Sequence, residues 1–339
     1  MKAVYIDEPG RISMREDPMP EITSPDDVII RIRYAGICGS DVHVYEGKNA
    51  FVTYPRVFGH EFAGEVHAFG EAVTGLQAGD HVVGEPIDYC GECYPCRQGH
   101  PNVCEHLQVY GIHKNGGCQH YLKMPASRVH RIDHSVPWTM AVLTEPLTIG
   151  FRVCNRAEVG PDDLVLVQGA GVIGSCALLA AKARGARVIA TDLFEEKLAF
   201  SRRLGADYTI NAGEQNVEEE VLRISGGRGA NVILDTVGTS KSLESAIDLA
   251  SAAGRIVEIG MGAITSPVSH MKMCRRDLTL MGTRLQACEF PEAIAFVEQN
   301  WQRLGEFVTD VCSMEQVEQA FERILTNPAE VRKILVEIS

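Results

Sequence analysis

From Asp163 onward the chain returns again and again to an apolar strand, a glycine turn and a helix, and few folds accommodate that pattern. Leu164 to Gln168 (LVLVQ) is a continuous apolar run, as a parallel strand covered on both faces requires. Val172 to Arg184 reads as a helix, Arg187 to Thr191 as the next strand, Glu195 to Leu204 as a second helix and Asp207 to Ile210 as a short strand. Asn231 to Asp235, Arg255 to Ile259 and Leu278 to Met281 read as further strands. Strands alternating with helices imply an α/β fold with a doubly wound parallel sheet.

Between the first of these strands and its helix lies Gly169-Ala170-Gly171-Val172-Ile173-Gly174, a G-x-G-x-x-G match. Alone it is a weak signal, but here it follows a strand and opens a helix, which is the context a dinucleotide site needs. The first glycine permits the tight turn, the second lets the backbone approach a pyrophosphate, and the third lets helix and strand pack closely. Exposed N–H groups at the helix start then face the phosphates. Asp192 follows 23 residues after Gly169, near the ~20 expected of an acid that accepts hydrogen bonds from the adenosine ribose. A carboxylate there repels a 2′-phosphate, and no arginine follows within a few residues, so NAD is favoured over NADP.

The first third has a different texture. Asp27 to Tyr34 alternates apolar and polar residues, Phe62 to Phe69 and His81 to Val83 are similar, and glycine and proline punctuate throughout, so this part reads as an irregular, mostly β domain. The texture changes near Glu145. After about Ala287 come a helix (Pro291 to Asn300), another (Met314 to Thr326) and a final strand (Lys333 to Ile338). Periodicity does not reveal which domain this tail joins.

Cys90, Cys93, Cys96 and Cys104 form a C-x2-C-x2-C-x7-C run within fifteen residues. Four thiolates at such spacing suit a closed structural zinc site, which clamps a loop and keeps no open coordination position. The bacterial ferredoxin run ends C-x3-C-P. Here the last gap is seven residues and Glu105 follows, and four regularly spaced cysteines also argue against a redox CxxC pair. Eleven cysteines are an odd count, and no apolar signal-peptide core follows Met1, so the cysteines read as thiols in a reducing, cytoplasmic compartment. No apolar run is long enough to span a bilayer. With 32 basic and 45 acidic residues the formal charge is −13, which disfavours nucleic acid as a partner.

Cys38, in GICGSDVH (36–43), His60 with Glu61, in GHE (59–61), and Glu145 before Pro146 are all residue types that bind a catalytic zinc with one position left open. Taken singly each has an ordinary reading, a buried thiol or a surface polar group, and periodicity cannot bring positions 38, 60 and 145 together.

The pieces GICGSDVH (36–43), GHEFAGEV (59–66), the four-cysteine run with Gly91 and Pro95, EPLTIG (145–150) and GAGVIG (169–174) together resemble the zinc-dependent medium-chain alcohol and polyol dehydrogenases, in order and across essentially the whole chain. Glu145 stands where the ethanol-type enzymes have cysteine. With the stretch from Tyr45 to Arg56, this is more similar to the sorbitol, threonine and sugar-acid (L-galactonate-type) dehydrogenase branch. The resemblance implies a GroES-like, mostly-β catalytic domain over 1–147 with a structural zinc lobe at about 88–106, a Rossmann NAD-binding domain over 148–287, and a segment 288–339 that returns to the catalytic domain. It also implies two zinc ions per chain, Cys38, His60 and Glu145 as protein ligands, and Glu61 beside the metal as an outer or exchanging ligand. Ser40 would take a hydrogen bond from the alcohol, and His43 would pass its proton outward. The implied reaction moves a hydride between NAD and a secondary alcohol of a polyol, sugar or sugar acid, with L-threonine as the runner-up substrate. Lys48, Asn49, His113, Lys114 and Arg284 are polar groups that could face such a substrate. A catalytically silent binding protein on the same scaffold is the contrasting class. Loss of Cys38, His60 or Glu145 would mark it, and all three are present. Relatives are often homodimers or homotetramers, so the resemblance implies self-association.

Overall fold

The computed structural model describes residues 1–260 and 265–338. The chain divides into two compact units: Met1–Glu145 with Phe290–Ser339, and Pro146–Glu289.

In the second unit six strands run parallel in the order Tyr208–Asn211, Arg187–Asp192, Leu164–Gln168, Ala230–Asp235, Ala250–Glu258, Thr279–Gly282. In chain order this is 3-2-1-4-5-6, the doubly wound arrangement in which strand order reverses beside the first strand. All five residues of Leu164–Gln168 are buried, as its unbroken apolar run requires. The helices Val172–Ala183 and Glu195–Leu204 begin where the sequence places them. The sequence reading omitted the helices Val217–Ser225, Ser240–Leu249 and His270–Arg276. Their starts are nonetheless written locally: the side chains of Asn216, Thr239 and Ser269 each cap the first turn.

The first unit is mostly β. One sheet runs in the order Val129–Arg131, His81–Gly84, Glu61–Phe69, Asp27–Ile37, Lys333–Glu337, Val308–Ser313, and Tyr121–Pro125 also pairs with Asp27–Ile37. Lys333–Glu337 lies antiparallel to Asp27–Ile37, with Leu335 opposite Gly36. On its other side Asp27–Ile37 pairs with Glu61–Phe69, and Gly36 faces Glu61. The central strand therefore carries Gly36 between Glu61 and the C-terminal strand, and leads directly into Cys38. The helix Thr144–Arg156 was read only as a change of texture. Pro146 suggests a break, yet a first helical turn needs no N–H at that position, so proline is harmless there. No helix among the described residues is long and apolar enough to cross a membrane.

Candidate functional site

Among the described residues two groups of side chains bring metal-binding atoms together: Cys90, Cys93, Cys96 and Cys104, and Cys38, His60 and Glu61. Within each group the donor atoms lie within 4.8 Å of one another.

The four-cysteine group is assembled by a short helical turn, Tyr94–Arg97, between two flanking segments. Cys93 Sγ lies 3.4 Å from Cys96 Sγ and 3.7 Å from Cys104 Sγ, and Cys104 Sγ lies 3.5 Å from Cys90 Sγ. These are not disulfides, and sulfurs bound tetrahedrally at a Zn–S distance near 2.3 Å stand about 3.8 Å apart. The backbone N–H groups of Cys90 and His106 point at Cys104 Sγ and that of Cys93 at Cys90 Sγ, at 3.3–3.4 Å, as suits thiolate acceptors. The geometry fits a closed zinc site.

The second group draws on distant parts of the chain. Cys38 directly follows the central strand and precedes the helix Gly39–Tyr45. Asp41, wholly buried in that helix's first turn, accepts a hydrogen bond from the Cys38 N–H (2.8 Å). Its other oxygen stands 3.4 Å from His60 Nδ1, leaving Nε2 toward the group, 3.3 Å from Ser40 Oγ. A histidine ligand is commonly oriented by a carboxylate on its second nitrogen. Burial pushes the His60 imidazole pKa down, but the Asp41 carboxylate and the Cys38 thiolate outweigh it, and the ring ends well above its ordinary value. The group attracts positive charge, which a metal ion would supply in place of the proton.

Glu61 is almost fully buried and its Oε1 accepts a 2.6 Å hydrogen bond from Lys333 Nζ, itself only 2 % exposed. Lys333 also donates to the Ile37 carbonyl at 3.2 Å. Burial lowers the Lys333 pKa, but Glu61 raises it further, so the ammonium persists. Glu61 Oε2 is buried without a hydrogen-bond partner among the described residues. It rests against Gly36, where an added Cβ would overlap it. An orphaned carboxylate oxygen beside a thiolate and an imidazole fits a metal site. Glu145, on the first turn of its helix, stands outside the three-residue group but interacts electrostatically with His60, Glu61, Lys333 and Asp41. Burial first, then the Glu61 charge, push its carboxyl up to about 7. Sequence reasoning missed Asp41 and Lys333. The first carried a local signal, an acid at the third position of a helix. The second carried none, since only strand pairing brings position 333 to position 61.

Ser40 is half-buried and His43 is exposed, one helical turn apart and so on one side of the helix. Of the polar groups considered for substrate, Lys48 is paired with Glu46 (2.8 Å) and Lys114 with Asp88. Asn49 Oδ1 caps the Phe51 N–H, and His113 Nδ1 accepts from the Val109 N–H. Arg284 lies in the second unit, where burial lowers its pKa.

In the second unit Gly169 has φ +87°, which a side chain disfavours, and a Cβ on Gly174 would overlap the Gly169 carbonyl oxygen. A Cβ on Gly171 would meet open space. Val172 and Ile173 form the first turn of the helix. Asp192 Oδ2 accepts from the Ala170 N–H (2.8 Å) and Oδ1 from the Phe194 N–H (3.1 Å), so the acid fastens the glycine turn and keeps further lone pairs for a ligand. A cleft of about 610 Å³ opens here, lined among others by Gly169, Asp192, Val237 and Thr239.

Two family models match this chain: the alcohol dehydrogenase GroES-like domain over residues 24–134 and the zinc-binding dehydrogenase model over 172–299. The chain is 34% identical to the starvation-sensing protein RspB of Escherichia coli K12, covering 100% of both, and 32% identical to the sorbitol dehydrogenase of Bacillus subtilis, covering 99% of this chain and 97% of that one. The crystal structure of an alcohol dehydrogenase (rspB) from E. coli CFT073 with NADH matches with a TM-score of 0.92 at 34% identity, over 100% of this chain and 99% of that one.

Proposed function

The chain belongs to the zinc-type medium-chain alcohol dehydrogenase family, in its sorbitol-like branch, and on that premise we propose that it oxidises a secondary alcohol of a neutral polyol or sugar with NAD. Membership makes it a zinc- and NAD-dependent oxidoreductase. One observation carries the finer reading: Cys38, His60 and Glu61 converge beside Ser40 in a chain that also holds a cleft of about 610 Å³ lined by Gly169 and Asp192.

Cys38 and His60 would hold the catalytic ion, with Glu61 and Glu145 as the carboxylates available to complete or exchange in the set. Cys90, Cys93, Cys96 and Cys104 would hold a second, structural ion. Bound zinc supplies Lewis-acid polarisation of the substrate hydroxyl, and NAD accepts the hydride. Ser40 Oγ, beside His60, receives the alcohol proton through a hydrogen bond, and His43 on the same helix passes it to solvent. Asp41 holds the His60 ring in orientation, and Lys333 holds Glu61 so that a buried carboxylate does not stand uncompensated. Gly169, Gly171, Gly174 and the helix start at Val172 and Ile173 receive the pyrophosphate, and Asp192 the ribose. A neutral substrate is favoured over an acid because Lys48 and Lys114 already neutralise carboxylates of their own.

The test is NAD reduction by purified enzyme over a panel of polyols, aldonates and threonine, with zinc content measured on the same preparation. Turnover on a polyol with two zinc per chain is expected. Turnover confined to aldonates or threonine would move the substrate to another class, and a zinc-loaded protein that reduces NAD with none of them would make the chain a silent member of the fold.

A further inference from the structure

Strand register sets Gln168, Asp235 and Glu258 side by side at the carboxyl ends of three neighbouring parallel strands. That edge is where open α/β sheets bind ligands. Asp235 is wholly buried and Glu258 partly so. Gln168 Oε1, Asp235 Oδ2 and Glu258 Oε1 are buried acceptors that no donor among the described residues meets. Two ionised carboxylates cannot satisfy each other, because neither has a proton to give. One proton between them supplies the missing donor and removes the like-charge repulsion.

We propose that Asp235 and Glu258 share one proton, that this proton holds the wall of the nucleotide cleft in place, and that nucleotide affinity falls when it leaves. The route to the cleft is short. Asp235 Oδ1 accepts from the N–H groups of Val237 (2.8 Å) and Gly238 (3.3 Å), and Val237 and Thr239 line the cleft. The Thr236 hydroxyl, between them, donates to the carbonyls of Gln168 (2.8 Å) and Gly169 (3.3 Å), so the same turn fastens the glycine loop. Removing the proton places a second negative charge against Asp235 and beside a cleft meant for a pyrophosphate.

Burial first, then the charge and hydrogen bond of Asp235, push the Glu258 carboxyl up to about 8. Apart from burial, the group that acts on the Glu258 carboxyl is Asp235. Asp235 is the charged residue of its own strand, and Thr279–Gly282 carries none. Helix Ser240–Leu249 brings Lys241, Glu244 and Asp248, and helix His270–Arg276 brings His270, Lys272, Arg275 and Arg276. Lys272 is committed to Asp248, Arg276 to backbone carbonyls, and Arg255 on Glu258's own strand to Asp163. Arg284 follows the edge strand.

The inference rests on the cleft being the nucleotide site, so its test uses ADP-ribose, which has the adenosine and pyrophosphate but no nicotinamide. Calorimetric titration should show affinity about tenfold weaker at about pH 9 than at about pH 7, because the protonated fraction falls that far one unit above a pKa near 8. Glu258→Gln keeps a donor without the charge and should flatten that dependence to less than about twofold. Infrared titration of the unaltered protein should show a protonated-carboxyl band that disappears near pH 8 and is missing from the variant. An unchanged pH dependence in Glu258→Gln, or no such band in the unaltered protein, overturns the shared proton even if ADP-ribose binds. Failure to bind ADP-ribose at about pH 7 removes the nucleotide reading, and the proposal with it.

Discussion

The two donor groups of the first unit are built in opposite ways. Cys90, Cys93, Cys96 and Cys104 come from one stretch of fifteen residues, run from exposed Cys90 to buried Cys104, and accept from nearby backbone N–H groups. Cys38, His60 and Glu61 come from a strand end, a loop and a second strand, and are ringed by the buried ionisable groups Asp41, Glu145 and Lys333. The first group is chemically uniform and local. The second is mixed, and its charge balance is imported from a helix and from the far C-terminal strand. A closed all-thiolate set needs only a loop to bring it together, whereas the proposed exchange of ligands and protons at the second would need neighbours that tune it.

Substitution separates the two. Cys38→Ser or His60→Ala should reduce NAD reduction to background with far-ultraviolet circular dichroism unchanged, and full activity in either would remove the second group from the chemistry. Lys333→Met leaves the Glu61 carboxylate buried without its cation, which should cost about 3–5 kcal/mol in denaturant unfolding of zinc-stripped protein. Zinc should restore much of that loss, since a metal ion can take the ammonium's place. Equal losses with and without zinc would reduce the ion pair to a structural one. Asp41→Asn keeps the shape and removes the charge behind His60. Zinc affinity measured by chelator competition, and turnover with it, should fall about 10–100-fold, and an unaltered affinity would show that the ring is oriented by packing alone. Cys93→Ser should change turnover least, by less than about twofold in whatever folds, while lowering the melting temperature or the yield of assembled protein. A stable Cys93→Ser protein that has lost hydride transfer would erase the division of labour between the groups.

Much of this was legible in the sequence. Leu164–Gln168, Gly169 to Gly174 and Asp192 announce their arrangement because strand, turn and helix are consecutive, and each part is recognisable from its neighbours. The four cysteines are legible for the same reason. Helix Thr144–Arg156 was not, because Pro146 looks like a break until the first-turn position is known. Lys333 reads as a charge in a final strand, and nothing near it hints at a buried ion pair.

What the sequence determined by itself, then, was everything carried by local order: the alternating strands and helices, the glycine turn with its acid, the cysteine run, and the residue types able to bind a metal. Only the tertiary structure decided which of those types meet. Pairing the central strand with Glu61–Phe69 on one side and Lys333–Glu337 on the other sets Gly36 opposite Glu61 and gives Glu61 its cation from 272 residues away. Register across a sheet depends on burying apolar faces over whole strands, so the chemical partner of a single side chain is a consequence of packing and leaves no mark at that residue.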